Sequence, residues 1–183
     1  MSLLTLDRVS IVRGGRLLVE ELSLALEAGG AVHLAGPNGV GKSSLIRAIA
    51  GLLRPASGTI ERADAALADD ALALDRELPL GKALAFWGGA ALAEAIEAFA
   101  LDGLVEVPVR MLSTGQAKRA RLARVMASGA PLWLLDEPLN GLDRDGGDRL
   151  ASVVAGHRAR GGAVVAASHV ALPGAWRTVE IGG

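Results

Sequence analysis

A chain of 183 residues with 51% hydrophobic content suits one domain, large enough to bury roughly 70% of the surface its unfolded form exposes. The absence of cysteine excludes disulfide, zinc-thiolate and thiol chemistry. A net charge of −1 supplies no broad basic field, so nucleic acid is not an expected partner.

In chain order, residues 1–8 lack the basic start and long apolar core of a signal peptide. Residues 4–12 and 22–26 alternate apolar with polar or small side chains, which predicts half-buried antiparallel strands. Arg13-Gly14-Gly15-Arg16 and Glu27-Ala28-Gly29-Gly30 are the turns between elements. Ala31-Val32-His33-Leu34-Ala35 is then a short buried strand.

That strand runs into Gly36-Pro37-Asn38-Gly39-Val40-Gly41-Lys42-Ser43, which fits the phosphate-binding pattern G-x-x-x-x-G-K-[ST] at every fixed position. The chemistry requires these residue types. Glycines at 36, 39 and 41 permit backbone turns that a Cβ penalises, so consecutive N–H groups converge on phosphate oxygens. The helix opening at Ser44 aims its positive end at the same place. Lys42 would reach the outer phosphates, and the Ser43 hydroxyl would complete a Mg²⁺ shell. Gly51 then reads as the helix C-cap, and residues 54–58 as a turn into a short strand at Thr59-Ile60.

From Ala63 to about Leu104 the chain becomes alanine-, leucine- and acid-rich. Residues 90–101 read as a helix with Leu92, Ala95, Ile96, Phe99 and Ala100 on one face. Phe86 and Trp87 suit either a core or a partner groove. Leu112-Ser113-Thr114-Gly115-Gln116 precedes an Arg/Lys-rich helical stretch at 118–124; a serine and a glycine at a helix start cap it and also offer donors to an anion.

Leu132-Trp133-Leu134-Leu135 is a continuous apolar strand of the kind buried on both faces of a parallel sheet, and it ends in Asp136-Glu137. A helix at 147–160 and a buried strand at 163–169 follow. The longest uncharged run, 161–176, is 16 residues broken by His169 and Pro173, short of the ~20 a membrane helix needs. The expectation is a soluble cytoplasmic domain whose membrane role, if any, comes through a partner.

The fold class expected is α/β: a P-loop NTPase core with an N-terminal antiparallel β subdomain and an inserted α-helical subdomain. As one domain over 1–183, residues 1–62 and 126–183 form the core and about 63–125 the helical part. A carboxylate at the end of a buried parallel strand beside a phosphate loop stands where open α/β sheets bind ligands. His33 and His157 have no motif around them and read as structural; Trp133 and Trp176 read as packing.

The P-loop, Leu112 to Gln116, Leu134-Leu135-Asp136-Glu137-Pro138, Asn140-Gly141-Leu142-Asp143 and His169, in this order, resemble the ATP-binding-cassette ATPases over essentially the whole chain. The resemblance implies a head-to-tail homodimer with ATP between the P-loop of one copy and the signature turn of the other. The nucleotide-binding set it implies is Gly36, Pro37, Asn38, Gly39, Val40, Gly41, Lys42, Ser43, Ser44, Ser113, Gly115, Gln116 and Asp143. Asp136 would hold Mg²⁺ with Ser43, Glu137 would polarise the attacking water, and His169 would sense the γ-phosphate while Lys42 neutralises it. Asp143 would communicate across the interface.

Two positions depart from that pattern. Arg13 stands where an aromatic usually stacks on adenine, so it is either the base contact or a solvated turn residue. The usual glutamine between core and helical arm has no counterpart near Asp69 and Asp70. Within the family, the arginine at 13, residues 110–116 and 130–143, and Glu77-Leu78 followed by Phe86-Trp87 are similar to the ATP-binding subunit of the cytochrome c biogenesis haem exporter. That implies an integral membrane permease as partner at the cytoplasmic face of the inner membrane, with haem as substrate of the complex: no Cys-x-x-Cys-His and no axial histidine is present for haem in this chain. Another transporter ATPase, a soluble cassette ATPase in assembly and a small-metabolite kinase are the competing readings. A kinase would not need Leu112 to Gln116, and the soluble class would expect a long coiled coil or basic surface.

Overall fold

The computed structural model describes residues 1–70 and 74–182. Its first element is a long hairpin, β1 (Ser2–Arg13) and β2 (Arg16–Glu27), closed by Gly14 and Gly15 at φ of 56° and 76°. β4 (Ser57–Arg62) pairs with the other edge of β1, giving an antiparallel sheet of order β2-β1-β4. From the sequence the second strand is expected only at 22–26; it begins at Arg16. The period is hidden by bulges. Glu21, at φ of 42°, donates its N–H to the Ser10 hydroxyl at 3.0 Å, and Arg8, at φ of 46°, bonds Ser23 at 3.0 Å. Such bulges shift the alternation by one residue and break the pattern a sequence window detects.

The second sheet is parallel, with order β5-β6-β7-β3-β8. β3 (Ala31–Ala35), β6 (Leu132–Asp136) and β7 (Ala163–Ala167) lie at its centre, and every residue of β6 and β7 is buried. That explains their unbroken apolar runs, since each face meets a different core. Leu132 and Leu134 pack with α1 (Lys42–Ile49) and the antiparallel sheet. Trp133 and Leu135 pack with α2 (Leu80–Ala85), α3 (Leu92–Ala98), α4 (Thr114–Ala127) and α5 (Arg144–Ala159).

Two strands of this sheet escape sequence detection. β5 (Ala65–Ala68) lies in the stretch expected to be helical from Ala63 onward, because its Ala-Ala-Leu-Ala run carries no β-branched or aromatic residue. Its strand identity is imposed by pairing with β6. β8 (Arg177–Glu180) is a mostly exposed edge strand beside β3. α2 was also not anticipated, while the helix expected at 90–101 is the shorter α3. Ala100, at φ of 50°, ends helical geometry there while Phe99 and Leu101 remain buried. α5 starts three residues earlier than expected because Asp143 caps it: its Oδ1 accepts the Gly146 N–H at 2.8 Å.

His33 and His157 are both built into the scaffold. His33 meets the Ser168 carbonyl at 3.1 Å. The His157 ring stacks on Trp133 with centroids 3.7 Å apart and planes 11° apart, and its Nε2 donates to the Pro131 carbonyl at 3.2 Å. Burial pushes the His157 imidazole below its ordinary value, so the neutral ring is the packed form. A Cβ at Gly162 would stand 2.1 Å from His157 Nε2. Gly162→Ala is therefore expected to displace the ring and lower stability by ~1–3 kcal/mol, read by urea unfolding. An unaltered midpoint would show that the ring is not confined.

Candidate nucleotide site

The parallel strands point their C-terminal ends at one place. β3 delivers the P-loop, β6 delivers Asp136 and Glu137, and β7, lying between them, delivers Ser168 and His169. The P-loop takes conformations that only glycine accepts without strain. Gly41, at φ of 122°, would put a Cβ 2.9 Å from that of Leu18, and Gly36, at φ of 140°, would put one 2.6 Å from the Ile181 carbonyl oxygen. Gly41 is also the N-cap of α1 and supplies no side-chain cap, so the first-turn N–H groups face outward.

A cavity of about 340 Å³ opens at this point, lined by Leu18, Asn38, Gly39, Gly41, Lys42, Ser43, Ser44, Glu137, Asn140 and His169. Lys42 is buried, and its ammonium donates to the Gly36 carbonyl at 2.6 Å and the Pro37 carbonyl at 3.0 Å. It thus braces the loop from inside. The Ser43 hydroxyl donates to Asp136 Oδ1 at 2.9 Å. Asp136 is buried, and desolvation raises its carboxyl above the ordinary carboxylate value, with the Ser43 bond opposing and the neighbouring Glu137 adding to the rise. A cation placed there would relieve that cost.

Glu137 occupies the left-handed region at φ of 46°, and its Oε2 lies 2.9 Å from His169 Nδ1. The Glu137 side chain is 17% exposed and that of His169 39%, so the pair sits at the cavity wall with access to solvent. A non-glycine residue held in this backbone conformation at a cavity is where strain and function coincide.

The remaining expected residues lie elsewhere. Ser113 caps α4 in a reciprocal box: its Oγ accepts from Gln116 N at 3.3 Å, and its own N–H donates to Gln116 Oε1 at 2.9 Å. Gly115 stands against the Gly141 carbonyl, 3.1 Å from where its Cβ would be. Neither Ser113, Gly115, Gln116 nor Asp143 lines the P-loop cavity. Asp143 is engaged as the α5 cap. Pro37 and Val40 belong to the loop without lining this cavity; Val40 lines a neighbouring one of about 650 Å³ with Arg16, Leu18 and Glu180. Arg13, at the hairpin end of β1, lines neither. Asp69 follows β5 and lies 3.6 Å from Arg47, while Asp70 is largely exposed.

Sequence reasoning passed over Leu18, Asn140 and Lys118. Leu18 belongs to a strand that the bulges concealed. Asn140 stood inside a quoted motif without a role. Lys118 is one of several bases in the Arg/Lys-rich stretch at 118–124 and carries no role there, but it is buried, with its ammonium 2.8 Å from the Glu137 carbonyl. Burial lowers its pKa, opposed by Asp70.

A strand-edge carboxylate paired with histidine, beside a glycine loop and a serine–aspartate couple, defines a nucleoside-triphosphate hydrolase. The ABC transporter family matches residues 19–140. The cytochrome c biogenesis ATP-binding export protein CcmA of Novosphingobium aromaticivorans is 62% identical over 162 residues, 87% of this chain and 85% of that protein. Its namesake from Sphingopyxis alaskensis is 57% identical over 177 residues, 93% of this chain and 91% of that one. A solved ATP-binding subunit of an ABC transporter shares the fold at a TM-score of 0.83 and 24% identity, covering 92% of this chain and 80% of that one. The chain is an ATPase that belongs to the ABC transporter family, in its cytochrome c biogenesis ATP-binding export branch.

Proposed function

We propose that the chain drives the haem export complex of cytochrome c biogenesis by hydrolysing ATP between two head-to-tail copies of itself. The observation that carries this reading is a division within the monomer. The P-loop cavity holds Lys42, Ser43, Glu137 and His169, whereas the Ser113–Gly115 turn lies outside it. A phosphate in the cavity therefore has one open side, and the Ser113 hydroxyl, whose oxygen accepts from Gln116, keeps its proton to donate outward. A second copy supplying that turn would close the site. Ser113 and Gly115 would meet the terminal phosphate, Gln116 would hold the turn, and Asp143 would lie along the seam.

Within the cavity, the backbone of Gly36, Pro37, Asn38, Gly39, Val40 and Gly41 wraps the phosphates, and the N–H groups of Lys42, Ser43 and Ser44 donate to them. Lys42 would exchange a carbonyl of its own loop for a phosphate oxygen. The Glu137 carboxylate orients the water for in-line attack, and His169, bonded to Glu137, donates to the charge that develops on the transferred group. The donor set fits Mg²⁺: Ser43 and Asp136 are two hard oxygens side by side, and a cage of three or more His, Asp or Glu is absent among the described residues. Mg²⁺ is held by few protein oxygens, with waters and phosphate completing its shell, and when bound it neutralises phosphate charge. Arg13 remains the proposed base contact, with its guanidinium available to stack on the purine.

Residues 1–62 and 126–183 act as the nucleotide-binding core and about 63–125 as the arm that transmits the change, with β5 as the exception that belongs structurally to the core sheet. Among the described residues no helix is long and apolar enough to cross a membrane. The proposed partner is a separate integral membrane permease, met at the cytoplasmic face of the inner membrane. Affinity purification of the chain from detergent-solubilised membranes is expected to recover an integral membrane protein in stoichiometric amount. Recovery of the chain alone, from soluble and membrane fractions alike, would contradict the transport assignment.

A further inference from the structure

The basic run that opens α4 is not a solvated face. Arg119 donates to the Phe99 and Ala100 carbonyls at 3.0 and 3.3 Å, Arg121 to the Asp69 carbonyl at 3.4 Å, and Arg124 to the Leu67 carbonyl. These cations fasten the helix to the backbone of neighbouring elements. Lys118 alone among them reaches the strand end that carries the candidate catalytic carboxylate. Its ammonium lies 2.8 Å from the Glu137 carbonyl and 3.5 Å from that of Asp136, with the side chain 4% exposed.

Glu137 needs such a partner. At φ of 46° its backbone sits in a region that L-residues avoid, and tethers must hold it there. Its N–H donates to the Ala167 carbonyl at 2.8 Å, and its carbonyl accepts from Asn140 N at 3.2 Å and from Lys118. The first tether ties Glu137 to β7 and the second to its own loop. The Lys118 bond alone connects it to α4, the helix whose first turn is Ser113 to Gln116. Lys118 lies five residues from Ser113, about 7–8 Å along a rigid helix.

We propose that Lys118 is a positioning residue for hydrolysis: it fixes the Glu137 backbone so that the carboxylate addresses the attacking water, and it links that carboxylate to the turn that would meet the other copy's phosphate. This rests on the reading of Glu137 as the water-orienting group. Lys118 does not line the P-loop cavity. Its salt-bridge partner Asp70, at 3.9 Å and 83% exposed, is too far and too solvated to account for a buried ammonium by itself. The backbone carbonyls are the contacts that repay its burial.

The test compares Lys118→Met, Lys118→Arg and Glu137→Gln in the purified full chain, with Mg²⁺-ATP turnover, KM for ATP and thermal midpoint all measured. Methionine keeps the length and removes the donor. The expected result is a fall in kcat of about 10–100-fold with KM within about threefold, because a misplacement near 1 Å costs on that order while nucleotide contacts are untouched. The midpoint changes little, since the desolvated charge and the carbonyl bonds that offset it are lost together. Lys118→Arg, which retains a donor, recovers most of the turnover. A parental kcat in Lys118→Met overturns the proposal. So does a kcat that falls only in step with a collapsed midpoint and is not recovered by arginine, which would make Lys118 structural. If Glu137→Gln itself turns over at the parental rate, the catalytic reading of Glu137 fails instead; if it is inactive while Lys118→Met is normal, the positioning claim alone fails.

Discussion

Glu137→Gln is expected to reduce ATP turnover by about 10²–10⁴-fold, the range associated with loss of a positioned general base, while ATP still binds. Binding survives because the substituted atom is not among the phosphate donors: the loop backbone, the Lys42 ammonium and the Ser43 hydroxyl are unchanged. The fold survives as well. Gln is isosteric, and the left-handed backbone at 137 is held by the Ala167, Asn140 and Lys118 bonds rather than by the side chain. What goes is the negative oxygen 2.9 Å from His169. An amide can still meet the imidazole but orients water weakly and accepts no proton. Phosphate release and equilibrium ATP binding, measured on the same preparation, separate the two effects. Turnover at the parental rate would remove Glu137 from the chemistry.

Gly115→Asp is expected to abolish hydrolysis to a comparable degree by another route. The substitution costs the monomer little: Gly115 lies in the first turn of α4, where an acidic residue is favoured by the helix dipole, and a Cβ there stands 3.1 Å from the Gly141 carbonyl, a tight contact that the loop eases by a shift of a few tenths of an ångström. The cavity of the same subunit does not include this residue, so its own P-loop should bind ATP as before. A carboxylate facing the partner's terminal phosphate, however, sets charge against charge at a desolvated contact, where one mismatched group costs several kcal/mol. The distinguishing observation is loss of turnover with intact melting and intact monomeric ATP affinity. Unimpaired hydrolysis would show that this turn takes no part in the reaction.

The residues that were legible in the sequence are those whose chemistry restricts the residue type. A phosphate cradle needs glycine at 36, 39 and 41, and the steric contacts with Ile181 and Leu18 show why substitution at 36 or 41 is costly. Of the side chains lining the P-loop cavity, Asn38, Lys42, Ser43, Ser44, Glu137 and His169 were named from sequence. β6 and β7 are equally plain, because burial on both faces leaves Asp136, at the very end of β6, as the one charged residue in either strand.

What escaped detection depends on neighbours distant along the chain. Leu18 lies on a strand whose period is broken by the Glu21 bulge, and β5 is a strand only because β6 pairs with it. Lys118 could not be told from a surface lysine, since its burial against the Glu137 carbonyl follows from how α4 meets the end of β6. The capping role of Ser113 is legible as a serine at a helix start, and the structure bears it out, whereas that of Asp143 is hidden because its motif already suggests another use. Each residue performs the local task in the free chain, which leaves the Ser113 hydroxyl proton for a second partner.

The central claim is that one nucleotide is enclosed by two copies of this chain. The most direct measurement is the sedimentation mass of Glu137→Gln with and without Mg²⁺-ATP. Doubling of the mass on adding nucleotide, abolished when Gly115→Asp is combined with it, is the predicted result. A protein that stays monomeric at saturating ATP, or a dimer indifferent to Gly115→Asp, would contradict it.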